Sequence, residues 1–243
     1  MKLYYAPGAC SLAVHIALEW IGAPYEAQVV KPGSPEILKV NPLGAVPALD
    51  TGEGWILTQA AAILRHLARV HPQARLAGDE APDHAACERS RSNAEKVIDS
   101  GESERALGEK PVPTFSQRAL RDEAELDRWL AFITGDLHPA FFPVFMPQRY
   151  TTETGDDSVR AVRDAGLALV RKRFAIMEAH LKERAFFLGD ARSILDAYAF
   201  PMARWGAATL PEGLADFPAI RAHHEKIARD EGVRRALAAE GLT

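Results

Sequence analysis

The chain has 243 residues, 47% hydrophobic and 26% charged, with a formal net charge of -4 at pH 7. That composition gives a globular protein with room for a sizeable core, and its slight acidic excess offers no basic surface for nucleic acid or anionic lipid. Two cysteines make no disulfide framework, no apolar run is long enough to span a bilayer, and the eight histidines lack metal-ligand spacing. The expected setting is therefore a reduced cytoplasmic one, with no metal, membrane or nucleic-acid partner.

In chain order, Lys2–Tyr5 and residues 25–30 have the pattern of strands. Between them Leu12, Ile16 and Trp20 recur every four residues beside Ala13, Ala17 and Ile21, and Gly22 supplies the left-handed residue that ends a helix. Strand, helix and strand in this order predict a right-handed crossover and parallel pairing. Ser34, Pro35 and Glu36 read as a cap, a first-turn proline and a dipole-compensating acid for a short helix that stops before Pro42. Residues 46–50 and 55–57 around the turn 51–54 predict a hairpin, and residues 59–70 a further helix with Ile63, Leu64 and Leu67 apolar. The order β-α-β-α-β-β-α describes a small sheet with helices packed on it.

Residues 71–83, with their prolines, glycine and charges, read as a linker. Beyond it strand signals fade. Residues 116–136, 159–182, 195–208, 220–228 and 233–239 carry apolar positions at helical spacing, so the second domain is predicted to be all-α. Residues 85–114 are polar with weak periodicity, which suits a surface helix followed by a loop, or alternatively a lid or partner-binding segment.

Cys10 stands where the first helical pattern begins. Unpaired N–H groups and the positive end of the helix dipole favour a thiolate there, which would make the cysteine chemically available. The position equally suits a small buried residue at a strand-helix junction, and this stretch alone decides for neither.

Residues 41–49 read NPLGAVPAL, placed after β-α-β and before a hairpin. This resembles the segment that gives thioredoxin-fold glutathione transferases their cis-proline. The resemblance implies that Pro47 is cis and that the backbone N–H and C=O of Val46 meet the extended backbone of glutathione. Taken alone, the residues also allow a trans proline opening an edge strand. Residues 58–63, TQAAAI, are similar to the family's TQSxAI or TEGxAI element, whose helix N-terminal donors hold the γ-glutamyl carboxylate. That match assigns the side chain of Gln59 and the N–H of Ala60, with Ala60 in place of the serine or threonine of many members. APGACSLA near the N-terminus, residues 128–147, residues 187–205 and EGL near the C-terminus are similar to the bacterial beta class.

The resemblance implies a thioredoxin-like domain over residues 1–78 and an all-α domain over residues 84–243 that carries the electrophile site. It places Cys10 and His138 beside the sulfur of glutathione. It gives Ser11, Lys31, Val46, Pro47, Gln59 and Ala60 to the tripeptide, and Phe141, Phe142, Phe145 and Trp205 to the electrophile. A cytoplasmic homodimer is implied, conjugating glutathione as co-substrate to small hydrophobic electrophiles. Two other functions fit the same residues. One is glutathione-dependent thiol-disulfide exchange on Cys10 as a monothiol, because Ala13 stands where a resolving cysteine would be. The other is a non-catalytic binding or scaffold protein of the same fold.

Some positions depart from the family pattern. Ala131 replaces an asparagine. Pro139 replaces a lysine and is expected to restrain His138 away from α geometry. A short loop leaves Lys31 as the candidate for the glycine end of the tripeptide. Ser193 and Asp196 form a capping-box variant, which makes Asp196 a folding element rather than a catalytic acid.

Overall fold

Short apolar strands and tight turns in the N-terminal third build a four-stranded sheet with helices against it. Residues 1–78 and 117–242 are described by the structure, a computed structural model. The elements are β1 (Lys2–Tyr5), α1 (Leu12–Ile21), β2 (Glu26–Val29), α2 (Pro35–Leu38), β3 (Ala48–Asp50), β4 (Ile56–Thr58) and α3 (Ala60–Val70). The strand order is β2-β1-β3-β4. β1 runs parallel to β2, with Lys2 opposite Glu26, and antiparallel to β3, with Leu3 opposite Leu49. The expected order and the parallel pairing of β1 with β2 are present; β1 has its expected bounds, whereas β2 and β3 are shorter than their sequence patterns and β4 is shifted by one residue. β3 begins only after Pro47, whose ring nitrogen has no hydrogen to give to a ladder. Gly22 ends α1 at φ 70°, its N–H bonded to the carbonyl of Leu18.

The second part is helical, as its periodicity predicts. α4 (Gln117–Ala131) runs into a π-helical turn (Phe132–Leu137), followed by the short helices α5 (His138–Ala140) and α6 (Phe142–Phe145). Then come α7 (Asp156–Leu181), α8 (Ile194–Thr209), α9 (Pro218–Ala228) and α10 (Glu231–Ala239). The polar segment 85–114 lies outside the described residues.

One continuous hydrophobic core joins both parts, with α1 lying against α8 and α10. α8 is apolar on nearly every face, which is the pattern of a helix buried all round. Its start is fixed by buried polar groups. Asp196 Oδ2 accepts the Ser193 N–H at 2.7 Å and hydroxyl at 2.8 Å, while Ser193 Oγ accepts the Leu195 N–H at 3.2 Å. Asp196 Oδ1 takes the Phe187 N–H and the His223 Nε2–H, and the Ile194 N–H reaches the carbonyl of Leu76. With every oxygen so engaged, Asp196 orients α8 and takes no part in chemistry.

Gly206 of α8 lets the helix approach α7. A Cβ there would lie 2.3 Å from the ring of Phe174, which is fully buried. Alanine gains about 1 kcal/mol of helix propensity over glycine, but overpacking a closed core costs up to about 3 kcal/mol. Gly206→Ala is expected to lower the thermal unfolding midpoint by several degrees, measured by circular dichroism; an unchanged midpoint would mean that the Phe174 ring can yield.

Candidate active site

The loop between β1 and α1 turns sharply at Gly8, φ 69°. Ser11 closes it from inside, donating its hydroxyl to the Ala6 carbonyl and accepting the Ala6 N–H, each at 3.2 Å. Ser11 is fully buried and its hydroxyl is spent within the loop.

Held this way, Cys10 points its thiol at the carbonyl of Val46, 3.5 Å away. The Val46–Pro47 bond is cis. Cys10, Val46 and Pro47, far apart in sequence, therefore meet. The preceding loop is pinned by Asn41, which donates Nδ2–H to Ala45 O at 2.7 Å and accepts the Leu43 N–H at 3.1 Å. Lys31 is exposed on the adjoining turn, which is tied to this loop by a bond from the Gly33 N–H to Gly44 O. Gln59 stands at the start of α3 with φ 70° and ψ 113°, a strained backbone for a residue with a Cβ. The exposed side chain of Gln59 and the N-terminal N–H of Ala60 thus mark one helix start.

Cys10 does not ionise as its place in the sequence suggests. Burial pushes the thiol up to about 11, although the Tyr198 hydroxyl and the N–H groups of Cys10 and Ser11 pull it down. The helix-end donors act, but desolvation outweighs them, and Cys10 is a neutral thiol at pH 7.

His138 arrives from the helical part. Pro139 lacks an N–H, and its ring would press on the carbonyl four residues back in an α-helix. The chain accommodates this one turn earlier, in the π-helical turn over Phe132–Leu137, and His138 keeps α geometry at φ −57° and ψ −50°. The expected distortion thus falls on the preceding turn. His138 Nδ1 lies 2.7 Å from the hydroxyl of Tyr198, and its ring contacts Phe142 and Trp205 at centroid distances of 5.0 and 5.1 Å. Burial pushes the imidazole down to about 4, which keeps it neutral at pH 7.

The four aromatic candidates divide. Phe145 is 45% exposed, and Phe142 and Trp205 are half-buried, so all three can border a ligand. Phe141 is fully buried, with Phe145, Phe174 and Trp205 around it, and serves the core instead of the pocket surface implied for it. Trp205 also has a polar role, donating its indole N–H to Gly8 O at 2.8 Å. From the other side Glu240 accepts the Gly8 N–H at 2.8 Å and lies 3.0 Å from His15 Nδ1.

Tyr198 and the indole of Trp205 in this role escape a reading by motif, whereas Asn41 lies inside NPLGAVPAL without its side-chain role being marked there. Tyr198 sits in an apolar helical run, where nothing local marks its hydroxyl as polar in function. Glu240 belongs to the EGL sequence near the C-terminus, the one local signal for it. Among the described residues no group of three or more histidines, cysteines or carboxylates could hold a metal, and no helix is long and apolar enough to cross a membrane.

Comparison with known proteins agrees with the geometry. A family model for the glutathione S-transferase N-terminal domain matches residues 8–70, and one for the C-terminal domain matches residues 134–231. Glutathione S-transferase GST-4.5 of Xanthomonas campestris is 34% identical over 245 residues, covering 100% of both chains. The glutathione S-transferase from Xylella fastidiosa has a TM-score of 0.78 at 31% identity, covering 100% of this chain and 99% of its own. A sphingomonad glutathione S-transferase complexed with glutathione has a TM-score of 0.72 at 32% identity. A bacterial beta class enzyme from Sphingomonas chungbukensis has a TM-score of 0.73 at 28% identity. Both cover the two chains completely.

Two outcomes follow from the burial of the titratable groups. In a Cys87→Ser background, the rate of Cys10 alkylation by iodoacetamide should rise about tenfold per pH unit from pH 7 to 10, and a plateau near pH 8 would contradict a thiol raised to about 11. His138 and His224 are both held near 4 by burial, whereas an unfolded chain takes up those protons near 6.5. The unfolded state then binds more protons, so stability should fall as pH drops from about 7 to 5. The urea midpoint measures this, and His138→Gln should flatten the slope.

Proposed function

The chain belongs to the glutathione S-transferase family, and from that premise we propose that it conjugates glutathione to small hydrophobic electrophiles as a cytoplasmic homodimer. The observation that carries the reading is the meeting of a neutral thiol, a cis Val46–Pro47 bond and a half-buried aromatic face around His138.

Val46 would pair the backbone of the tripeptide as a strand pairs an edge. Gln59 and the N–H of Ala60 would hold the γ-glutamyl carboxylate at the start of α3, where N–H groups and the helix dipole favour an anion. Lys31, on the turn tied to the cis-proline loop, would meet the glycine carboxylate. The Cys10 S–H would exchange the Val46 carbonyl for the sulfur of glutathione and stabilise its thiolate as a hydrogen-bond donor. The thiol of glutathione gives its proton to water, and the resulting thiolate forms the new S–C bond. The bond from that carbon to its leaving group breaks, and the group departs with the electron pair, as chloride from a chlorodinitrobenzene. The electrophile rests against Phe142, Phe145 and Trp205.

Thiol-disulfide exchange is less well supported, because it needs Cys10 itself as a thiolate. Burial pushes the thiol up to about 11, so the thiolate is the minor form at pH 7. A donor role has no such requirement.

A hydrogen bond to a charged group is worth about 1.5–3 kcal/mol. Cys10→Ala is therefore expected to retain glutathione binding and to slow conjugation of a chlorodinitrobenzene by about tenfold to a hundredfold. Complete loss of conjugation, with a glutathione adduct on the wild-type Cys10 by mass spectrometry, would favour exchange. Failure to bind glutathione by calorimetry would overturn both readings.

A further inference from the structure

We infer that Tyr198 is a positioning residue of this site: its phenol links His138 to the Cys10 sulfur, and the imidazole acts on that sulfur through the phenol. The inference rests on the reading of Cys10 as the donor to the ligand sulfur, and it gives His138 a definite route of action.

The Tyr198 hydroxyl is 2.7 Å from His138 Nδ1. Its helix α8 packs against α1, which follows Cys10 in the chain, and the phenol and the thiol act on each other electrostatically. The Cys10 proton is committed to Val46 O, so the sulfur meets Tyr198 with a lone pair. A phenol carries a single proton. If that proton is given to sulfur, its oxygen accepts from His138 Nδ1–H, and the chain of donors runs from His138 through Tyr198 and Cys10 to the Val46 carbonyl. A neutral imidazole with its proton on Nδ1 meets this need.

The phenol is held firmly in this place. Tyr198 is 2% exposed and lies one turn into α8, whose start is locked by Ser193, Asp196 and the Leu76 carbonyl. Two turns further along the helix, Trp205 bonds the Gly8 carbonyl of the same loop that carries Cys10. The phenol is therefore fixed relative to the sulfur by a rigid helix bonded at both ends of this span. Among the described residues Tyr198 is the titratable side chain that acts on Cys10 from the helical part, beside the N–H groups of Cys10 and Ser11 from its own loop. In the ionised state of Cys10 the phenol O–H faces the negative sulfur directly, which favours that state.

The test uses the ligand-free, full-length Cys87→Ser protein and reads Cys10 alkylation by iodoacetamide at fixed pH between 7 and 9. Tyr198→Phe keeps the ring and removes the donor, and it is expected to slow alkylation by about tenfold. His138→Ala should slow it severalfold when Tyr198 is present and leave it unchanged in the Tyr198→Phe background. His138→Asn, whose carboxamide can present an N–H in the place of Nδ1, should restore the rate. If Tyr198→Phe alters the thermal midpoint, the contrast between His138→Ala and His138→Asn carries the same test. An unchanged rate in Tyr198→Phe, an equal His138→Ala effect in both backgrounds, or no restoration by His138→Asn would overturn the inference. Because glutathione is absent from this assay, its outcome is independent of the calorimetric and conjugation tests of the proposed function.

Discussion

The arrangement of the site depends on one residue, Gly8, whose backbone N–H and carbonyl are both bonded to the helical part. Gly8 gives its N–H to Glu240, at the C-terminal end of α10, and its carbonyl accepts from Trp205 on α8. Both partners come from the helical part, while Gly8 belongs to the loop that delivers Cys10 from the sheet. Burying that loop without such partners would leave an unsatisfied donor and acceptor at a cost of about 1–3 kcal/mol each. Satisfying them with side chains from more than two hundred residues away in the case of Glu240 ties the position of the thiol to correct folding of the second part. The buried pair of His15 and Glu240 strengthens the same joint, because it anchors α1 to the carboxylate that holds Gly8.

Burial at that joint decides the protonation states of Cys10 and His138. In bulk water a thiol at a helix N-terminus leans towards the thiolate. Here the loop is packed against α8, and desolvation outweighs the combined pull of two N–H groups and a phenol. The same burial strips the proton from His138. A neutral thiol and a neutral imidazole are a poor pair for generating a nucleophile by proton transfer between them. They are a suitable one for donating hydrogen bonds to an anionic sulfur brought in by a ligand, since low dielectric strengthens such bonds and no resident charge competes with the incoming one. In the proposed reaction the protein presents donors and the charge arrives from outside.

Features set by short-range chemistry were legible in the sequence, and those set by long-range packing were not. Gly22, the Ser193–Asp196 cap and NPLGAVPAL each act within a few residues of themselves, and each forms the local structure its chemistry dictates. The helix-end donors beside Cys10 make its ionisation look local, yet burial in a core shared with the distant helical part decides it. The full burial of Ser11 and Phe141 is illegible for the same reason, since a sequence does not say which face of a polar or aromatic residue the distant core will cover. Tyr198 was invisible for the opposite reason: in a run as apolar as LDAYAFPM a tyrosine reads as bulk, and its hydroxyl gains meaning only when Cys10 and His138 are brought to it.

Pro139 shows how such a site can absorb a change without losing its geometry. A proline directly after His138 should have displaced the imidazole, had the preceding helix been rigid. Widening one turn to π geometry frees the chain from the carbonyl clash and keeps His138 in α geometry, with its Nδ1 at hydrogen-bond distance from Tyr198. The π turn is inexpensive here because Ile133 and Leu137 remain buried on its inner side while Gly135 and Asp136 are exposed on the outer. The wider turn therefore opens towards solvent, the core contact survives, and the histidine is held by its hydrogen-bond partner and aromatic neighbours more than by the regularity of the helix that carries it.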